Sequence, residues 1–339
     1  MDLDGDGIPD LISGSWPGEI FFFRGLGKGR FAAPEMLKDK DGNVINIGGG
    51  LRESPDGSIL ITGNADFEQA ADGTFVNYHG RRLKSTPEKP IAITGTASAV
   101  HAVDWDGDGR IDLLVGDIRG NVYLIPNEGT PTKWAFGKER PLTAGGKPLV
   151  VAGGDAGPFA CDWDGDGKTD LLVGAGDGSV WFYRNVGTAK APELAAGVRL
   201  VPPGDVTYGR DAPKERRRGV RAKVCAVDWD GDGRLDLLVG DFTTQRPDRP
   251  EPTAEQKAEQ AKARTELESV RQRFGELVQK VHGPSRVKAK DEMEKVQKEL
   301  KEVSERMREL QAKIPPEYEN HGWVWLFRRK PAETTTAGP

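Results

Sequence analysis

The residues best able to do chemistry in this chain are aspartates placed at every second position. Residues 104–116 read DWDGDGRIDLLVG, 162–174 read DWDGDGKTDLLVG and 228–240 read DWDGDGRLDLLVG. A fainter copy, DLDGDGIPDLISG, occupies 2–14. Four carboxylates within nine residues repel one another unless a cation lies between them. Hard divalent cations prefer oxygen ligands, and Ca²⁺ accepts roughly 6–8 of them at about 2.3–2.6 Å. Side chains at loop positions 1, 3, 5 and 9 could converge on one ion. The carbonyl of position 7 and a water would complete the shell, and the glycines permit the sharp turn. The candidate ligands are Asp2, Asp4, Asp6 and Asp10 with the carbonyl of Ile8, and Asp104, Asp106, Asp108 and Asp112 with that of Arg110. The other two loops offer Asp162, Asp164, Asp166 and Asp170 with Lys168, and Asp228, Asp230, Asp232 and Asp236 with Arg234. The expectation is about four Ca²⁺ sites; Mg²⁺, which keeps its waters, suits such a cage less well.

The EF-hand loop begins in the same way but needs a bidentate glutamate at position 12 and flanking helices. Position 12 here is Ser13, Val115, Val173 or Val239, and the flanks are β-branched strands. The EF-hand is therefore excluded. The bland alternative is a polar Asp-Gly turn without metal, which four near-identical copies retaining every acid argue against.

The elements that must hold these loops form a repeat. Each loop is followed by an apolar run, a glycine and an alternating aromatic strand: GEIFFFRG from Gly18, GNVYLIPN from Gly120 and GSVWFYRN from Gly178. Short apolar segments precede three of the loops: SAVHAVD, GPFACD and AKVCAVD. The unit is strand, Asp loop, strand, turn, strand, and a looser stretch able to supply a fourth strand. A worn fifth copy is read between the first two loops, in SPDGSILITG (54–63) and DGTFVNYHG (72–80). The spacing suggests an all-β chain forming a β-propeller of about five four-stranded blades, one degenerate and the terminal ones incomplete.

The last repeat is interrupted. After DLLVGDF (236–242) a helical segment begins, and the aromatic strand returns as GWVWLFRR from Gly322. Leu267, Val270, Phe274, Leu277 and Val281 step 3-4-3-4, as do Met293, Val296, Leu300, Val303, Met307, Leu310 and Ile314. HGPS (282–285) separates the runs, and Thr253 with Gln256 forms a capping box. An antiparallel coiled-coil hairpin is expected, with arms of about 29 residues and so roughly 43 Å each. The domain plan is propeller repeats over 1–250, the hairpin over 251–314, a final propeller strand over 315–331 and a disordered tail over 332–339.

The loop D-x-D-G-D-G-x-x-D-L-L-V-G followed by G-x-V-x-x-Y-x-N resembles the FG-GAP/VCBS repeat family. The resemblance covers roughly 1–244 and 321–331. It implies a β-propeller with calcium loops between the first two strands of a blade, as in integrin α-subunit heads. By position it carries calcium ligation to the aspartates of all four loops and none to the worn repeat. The hairpin is outside the family pattern.

The 339 residues carry a formal net charge of -5, which gives no argument for a nucleic-acid partner. No apolar run approaches a membrane span and no signal peptide is visible. Met1 directly abuts the first loop, so the start is expected to be truncated. Weak calcium sites fill at millimolar calcium and not in cytosol, which points to an extracytoplasmic setting: secreted, periplasmic or cell surface. Cys161 and Cys225 are expected as buried small hydrophobes, with a disulfide between neighbouring blades as the alternative. His101 is expected to pack near the propeller axis. Trp105, Trp163 and Trp229 are expected between blades rather than as a sugar platform, and Trp323 and Trp325 likewise. KERRRGVRAK (214–223) is expected as a solvated loop, with an anionic glycan or acidic partner as the alternative. No catalytic constellation is visible. The expected function is a non-enzymatic, calcium-stabilised module binding a protein or glycan. The alternatives are a polysaccharide lyase or hydrolase, and an assembly module self-associating or binding partner helices through 251–314.

Overall fold

The computed structural model describes residues 1–16, 18–47, 98–206, 212–282 and 289–330. It also gives the backbone of short strands at 50–53, 59–62, 67–69, 74–77, 82–84 and 91–94. The expected tail over 332–339 and the HGPS turn from 283 onward lie outside the described residues. The chain divides into two compact units. One comprises Met1–Thr207, Arg216–Thr243 and Asn320–Pro339, and the other Tyr208–Glu215 and Thr244–Glu319.

The first unit carries one antiparallel sheet for each aspartate loop. The first sheet runs β1 (Leu11–Gly14), β2 (Ile20–Phe23) and β3 (Glu35–Met36). Six short strands follow: β4 (Gly50–Glu53), β5 (Ile59–Thr62), β6 (Phe67–Gln69), β7 (Thr74–Asn77), β8 (Arg82–Lys84) and β9 (Ile91–Thr94). The second sheet runs β10 (Ser98–Val103), β11 (Asp112–Asp117), β12 (Val122–Ile125) and β13 (Arg140–Pro141), with the small hairpin β14 (Thr143–Ala144) and β15 (Lys147–Pro148) after it. The third sheet is β16 (Gly157–Cys161), β17 (Asp170–Gly174), β18 (Val180–Tyr183) and β19 (Val198–Val201). The fourth pairs β20 (Val220–Val227) with β21 (Asp236–Gln245), which in turn pairs both β22 (Glu319–His321) and β23 (Val324–Phe327). The register repeats: Leu113 faces Ile125, Leu171 faces Tyr183 and Leu237 faces Phe327.

The sheets pack face to face in chain order. Ile20 and Phe22 of the first sheet share a core with Leu113, Val115 and Ile125 of the second. Leu114, Val122 and Leu124 meet Leu171, Val173 and Tyr183 of the third, and Leu172 and Val180 meet Leu237 and Val239 of the fourth. Strands β11 and β17 are buried on both faces. Their unbroken apolar run, where a half-buried strand would alternate, follows from that double cover.

The worn repeat does not pair as the others do. There β5 pairs with β4 and, in parallel, with β9, while β7 pairs with β6 and β8. A blade would require β5 against β7. The first sheet instead packs directly on the second, so this stretch is an insertion in the row and not a fifth member of it. The stretch lacks the loop aspartates, and its loops at 54–58, 70–73 and 78–80 lie outside the described residues.

In the second unit α1 (Ala254–His282) and α2 (Lys290–Ala312) pack along one another. The capping box forms: the Thr253 amide donates to Gln256 Oε1 at 2.9 Å, and the Gln256 amide donates to Thr253 Oγ1 at 3.2 Å. Ala263, Leu267 and Leu310 form a core with Val270, Met307 and Ile314. Three ion pairs cross the helices at seven-residue steps: Lys313–Glu259 at 3.2 Å, Arg306–Glu266 at 2.6 Å and Arg273–Glu299 at 2.7 Å. The numbers rise along one helix as they fall along the other, so the pairing is antiparallel. The arms are unequal: α1 has 29 residues and α2 has 23, which shortens the second arm to about 34 Å. Asp291 and Glu292 occupy the first turn of α2 and suit a helix start there. Among the described residues no helix is long and apolar enough to cross a membrane.

Candidate metal centres

Each aspartate loop joins the first two strands of its sheet, or, in the first repeat, precedes β1. The position-1 aspartate organises the turn through its own carboxylate. Asp162 Oδ1 accepts the amides of Gly165 and Asp166 at 2.8 and 3.0 Å, and Oδ2 accepts that of Gly167 at 2.9 Å. Asp2 and Asp228 repeat this pattern, and Asp104 repeats it for Asp108 and Gly109. The position-5 carboxylate then accepts the amide of position 7: Asp6 from Ile8, Asp108 from Arg110, Asp166 from Lys168 and Asp232 from Arg234. Both loop glycines adopt positive φ, between 67° and 87° in all four copies, so a side-chain-bearing residue at either would be strained.

These turns draw carboxylates together. Oxygens lie within 4.8 Å of one another in Asp2–Asp4–Asp6, Asp104–Asp106–Asp108, Asp162–Asp164–Asp170 and Asp228–Asp230–Asp232. Positions 1, 3 and 5 thus converge in three loops, and positions 1, 3 and 9 in the third of the four. The donor set is all oxygen and anionic, which suits a hard divalent cation. One observation bears on the fit: Asp106 Oδ1 is buried without a hydrogen-bond donor, whereas Asp4 Oδ2, also buried, meets the Arg24 guanidinium at 2.9 Å. Burial, together with Asp108 and Asp104 alongside, raises the pKa of Asp106 above the ordinary carboxylate value. A buried anionic oxygen with no donor is costly unless a cation meets it.

The position-9 aspartates have a second task that spacing did not disclose. Asp170 Oδ2 accepts the Trp163 amide at 3.1 Å and Oδ1 accepts that of Asn185 at 2.7 Å, fastening the loop to the end of β18. Asp10 does the same for Leu3 and Gly25, Asp112 for Trp105 and Asn127, and Asp236 for Trp229 and Arg329. Burial pushes Asp112 up to about 6 against the lowering effect of its two amide donors, and Asp170 is raised for the same reason.

Basic residues also enter the loops. Lys168 reaches Asp166 at 2.9 Å and the Asn185 carbonyl at 3.0 Å, and holds Asp166 below the usual carboxylate value. Arg110 likewise pairs with Asp108 and donates to the Asn127 carbonyl, and Arg234 pairs with Asp232. A further set of arginines escaped the sequence reading. Arg24 lies 2.9 Å from Asp4, Arg184 lies 2.6 Å from Asp164, and Arg328 lies 3.7 Å from Asp230. Each sits one residue before the amide clamped by the position-9 aspartate; the fourth copy has Pro126 there. The signal was present, in FFFR, WFYR and WLFR against YLIP, had the aromatic strands been aligned to their last residue.

The other expected residues divide. Trp105 and Trp163 are buried between sheets, whereas Trp229 is exposed. Trp323 and Trp325 are half-buried. Both cysteines are free, Cys161 half-buried and Cys225 exposed, so neither the disulfide nor a buried Cys225 is found. Burial pushes the Cys161 thiol up to about 12. His101 stacks on Phe159 at 4.6 Å and, with Ser13 and Lys223, borders a cavity of about 400 Å³ between the innermost strands; burial lowers its pKa. The basic run divides: Lys214–Arg217 form an exposed loop, as expected. Its second half is β20, where Arg221 and Lys223 meet Asp155 at 2.7 and 3.2 Å. Arg218 donates to the Gly178, Pro202 and Pro203 carbonyls.

Residues 162–239, from the third sheet's loop into β21, match the family model of the FG-GAP-like repeat. A comparison with curated proteins gives no match.

Proposed function

We propose that the four sheets are blades of a β-propeller whose loops bind Ca²⁺, and that the chain is an extracytoplasmic, non-enzymatic module for a protein or glycan ligand. The observation that carries the metal reading is the convergence of three carboxylates in every loop, with one buried oxygen, Asp106 Oδ1, that no donor meets. Asp2, Asp4 and Asp6, and their counterparts at 104–108 and 228–232, would hold the ions, with Asp162, Asp164 and Asp170 doing so in the remaining loop. Ca²⁺ would supply charge neutralisation where the loop's own lysine and arginines do so in part. An ion bound only by the folded chain stabilises it by RT ln(1 + [L]/Kd), about 2.7 kcal/mol per site at a hundredfold excess over Kd. Such weak sites suit a calcium-rich exterior. The test is thermal unfolding in millimolar calcium and in EDTA, followed by a glycan array probed in both. Calcium-dependent melting and retention of a glycan support the reading. Identical melting in both buffers sinks the metal half, and calcium-dependent release of cleaved products sinks the non-enzymatic half.

A further inference from the structure

Every aspartate loop contains two Asp-Gly bonds, and Asp-Gly is the dipeptide most open to isomerisation. The glycine amide nitrogen attacks the aspartate Cγ, an N–C bond forms, and water leaves from the carboxyl group. The cyclic imide then takes water back at either carbonyl, giving aspartate or isoaspartate. Glycine carries no side chain to shield its amide, so what holds the amide and the carboxylate sets the rate. The bond after position 3 has the same neighbours, Trp-Asp-Gly-Asp-Gly, at 105–109, 163–167 and 229–233. Sequence alone would isomerise the three alike, and the fold does not treat them alike.

In three of the loops both reacting groups are tied. The amides of Gly5, Gly165 and Gly231 donate to the position-1 carboxylates of Asp2, Asp162 and Asp228, each at 2.8 Å. The carboxylates of Asp4, Asp164 and Asp230 each have an arginine, Arg24 at 2.9 Å, Arg184 at 2.6 Å and Arg328 at 3.7 Å. Among the described residues neither restraint exists at 106–107. Asp104 accepts the amides of Asp108 and Gly109 but not that of Gly107. Asp106 Oδ1 meets no donor, and Pro126 stands where the arginines are. Gly107 is exposed, so water reaches the bond. The second Asp-Gly bond serves as an internal reference, since Gly7, Gly109, Gly167 and Gly233 all donate to their position-1 aspartates.

We propose that Asp106–Gly107 is the bond at which this protein isomerises when its loops are free of metal. Isoaspartate lengthens the main chain by one carbon and moves the free carboxylate onto Cα. Asp106 then no longer converges with Asp104 and Asp108, and this loop alone loses its ligand set for good. That consequence rests on the calcium reading. So does the expectation that a bound ion, by engaging the Asp106 carboxylate, slows the attack. The ranking of the four bonds in metal-free protein does not rest on it.

The test is prolonged incubation of the full chain at neutral pH, in EDTA and in millimolar calcium, followed by digestion and peptide mapping. Electron-transfer fragmentation in the mass spectrometer distinguishes isoaspartate from aspartate at unchanged mass. In EDTA, isoaspartate at Asp106 is expected several-fold above that at Asp4, Asp164 and Asp230, and above that at Asp108, whose glycine is held. In urea the three identical segments are expected to isomerise alike, which assigns the difference to the fold. Pro126→Arg, which supplies a guanidinium as in the other sheets, is expected to lower the yield at Asp106, and calcium is expected to suppress it. Equal yields across the loops in EDTA, a highest yield at Asp164 or Asp230, or a preference for Asp106 that persists in urea would each overturn the proposal. A yield at Asp106 that calcium leaves unchanged, in a chain shown by elemental analysis to hold the ion, overturns the protection alone. A chain that binds no calcium sinks the metal reading, while the ranking in EDTA still supports the assignment of the bond.

Discussion

At the scale of the residue, the aspartates of one loop differ in what they do. Position 9 holds two backbone amides in all four copies, so its loss should be felt with or without metal. Asp170→Ala is expected to cost roughly 1–3 kcal/mol per amide left without an acceptor, read by urea unfolding in EDTA. A cost near zero would mean the clamp is dispensable. Asp112 carries a pH signature. Burial raises its pKa to about 6, against about 3.9 in an unfolded chain. A group raised on folding contributes stability that is complete below the unfolded value and lost as pH rises through the folded one. In EDTA, melting temperature should therefore decline between about pH 4 and pH 6, with a shallower decline in Asp112→Asn; parallel slopes would refute the assignment. Asp106 has Pro126 where the other loops place an arginine. Among the described residues Arg110 on Asp108 is then the one cation in this loop, where the loops at 162–170 and 228–236 carry two each. The loop at 104–112 should therefore fill before those two in a calcium titration, and Asp106→Asn should remove its phase. The acidic pattern was plain in the sequence. The two-amide clamp was not, because one of its two partners lies 15 residues away, or 93 in the last repeat.

At the scale of the element, local chemistry and burial separate cleanly. The capping box and the 3-4 spacing located α1 to within a residue, since both are short-range signals. The equal arms and the fifth blade failed because they required knowing what the segments pack on. In the worn repeat the alternating apolar residues survive and the loop aspartates are gone, and β5 pairs with β4 and β9 in place of β7. The hairpin's ion pairs are half exposed, and such pairs contribute about 0–1 kcal/mol each. Leu310 is nearly fully buried in its core. Leu310→Ala should thus lower stability by about 2–5 kcal/mol, whereas Glu266→Gln should shift it by less than about 1 kcal/mol. Circular dichroism during urea unfolding distinguishes the two; equal effects would place the hairpin's stability in its charges.

At the scale of the whole molecule, one repeated contact orders the four sheets: a trailing apolar face on a leading one. That contact explains why Trp105 and Trp163 are buried while the same residue type at 229 is not, a difference invisible in three nearly identical loops. The loops are where a cation would rigidify each sheet from within, and the central claim is that they hold calcium. The most direct measurement is the calcium content of the purified chain after equilibrium dialysis, by elemental analysis, for the wild type and for a variant carrying Asp104→Asn, Asp106→Asn and Asp108→Asn. The expected result is about four ions per chain, falling by one in the variant. A wild-type chain that retains no calcium at millimolar concentrations, or a variant that retains as much as the wild type, would contradict it.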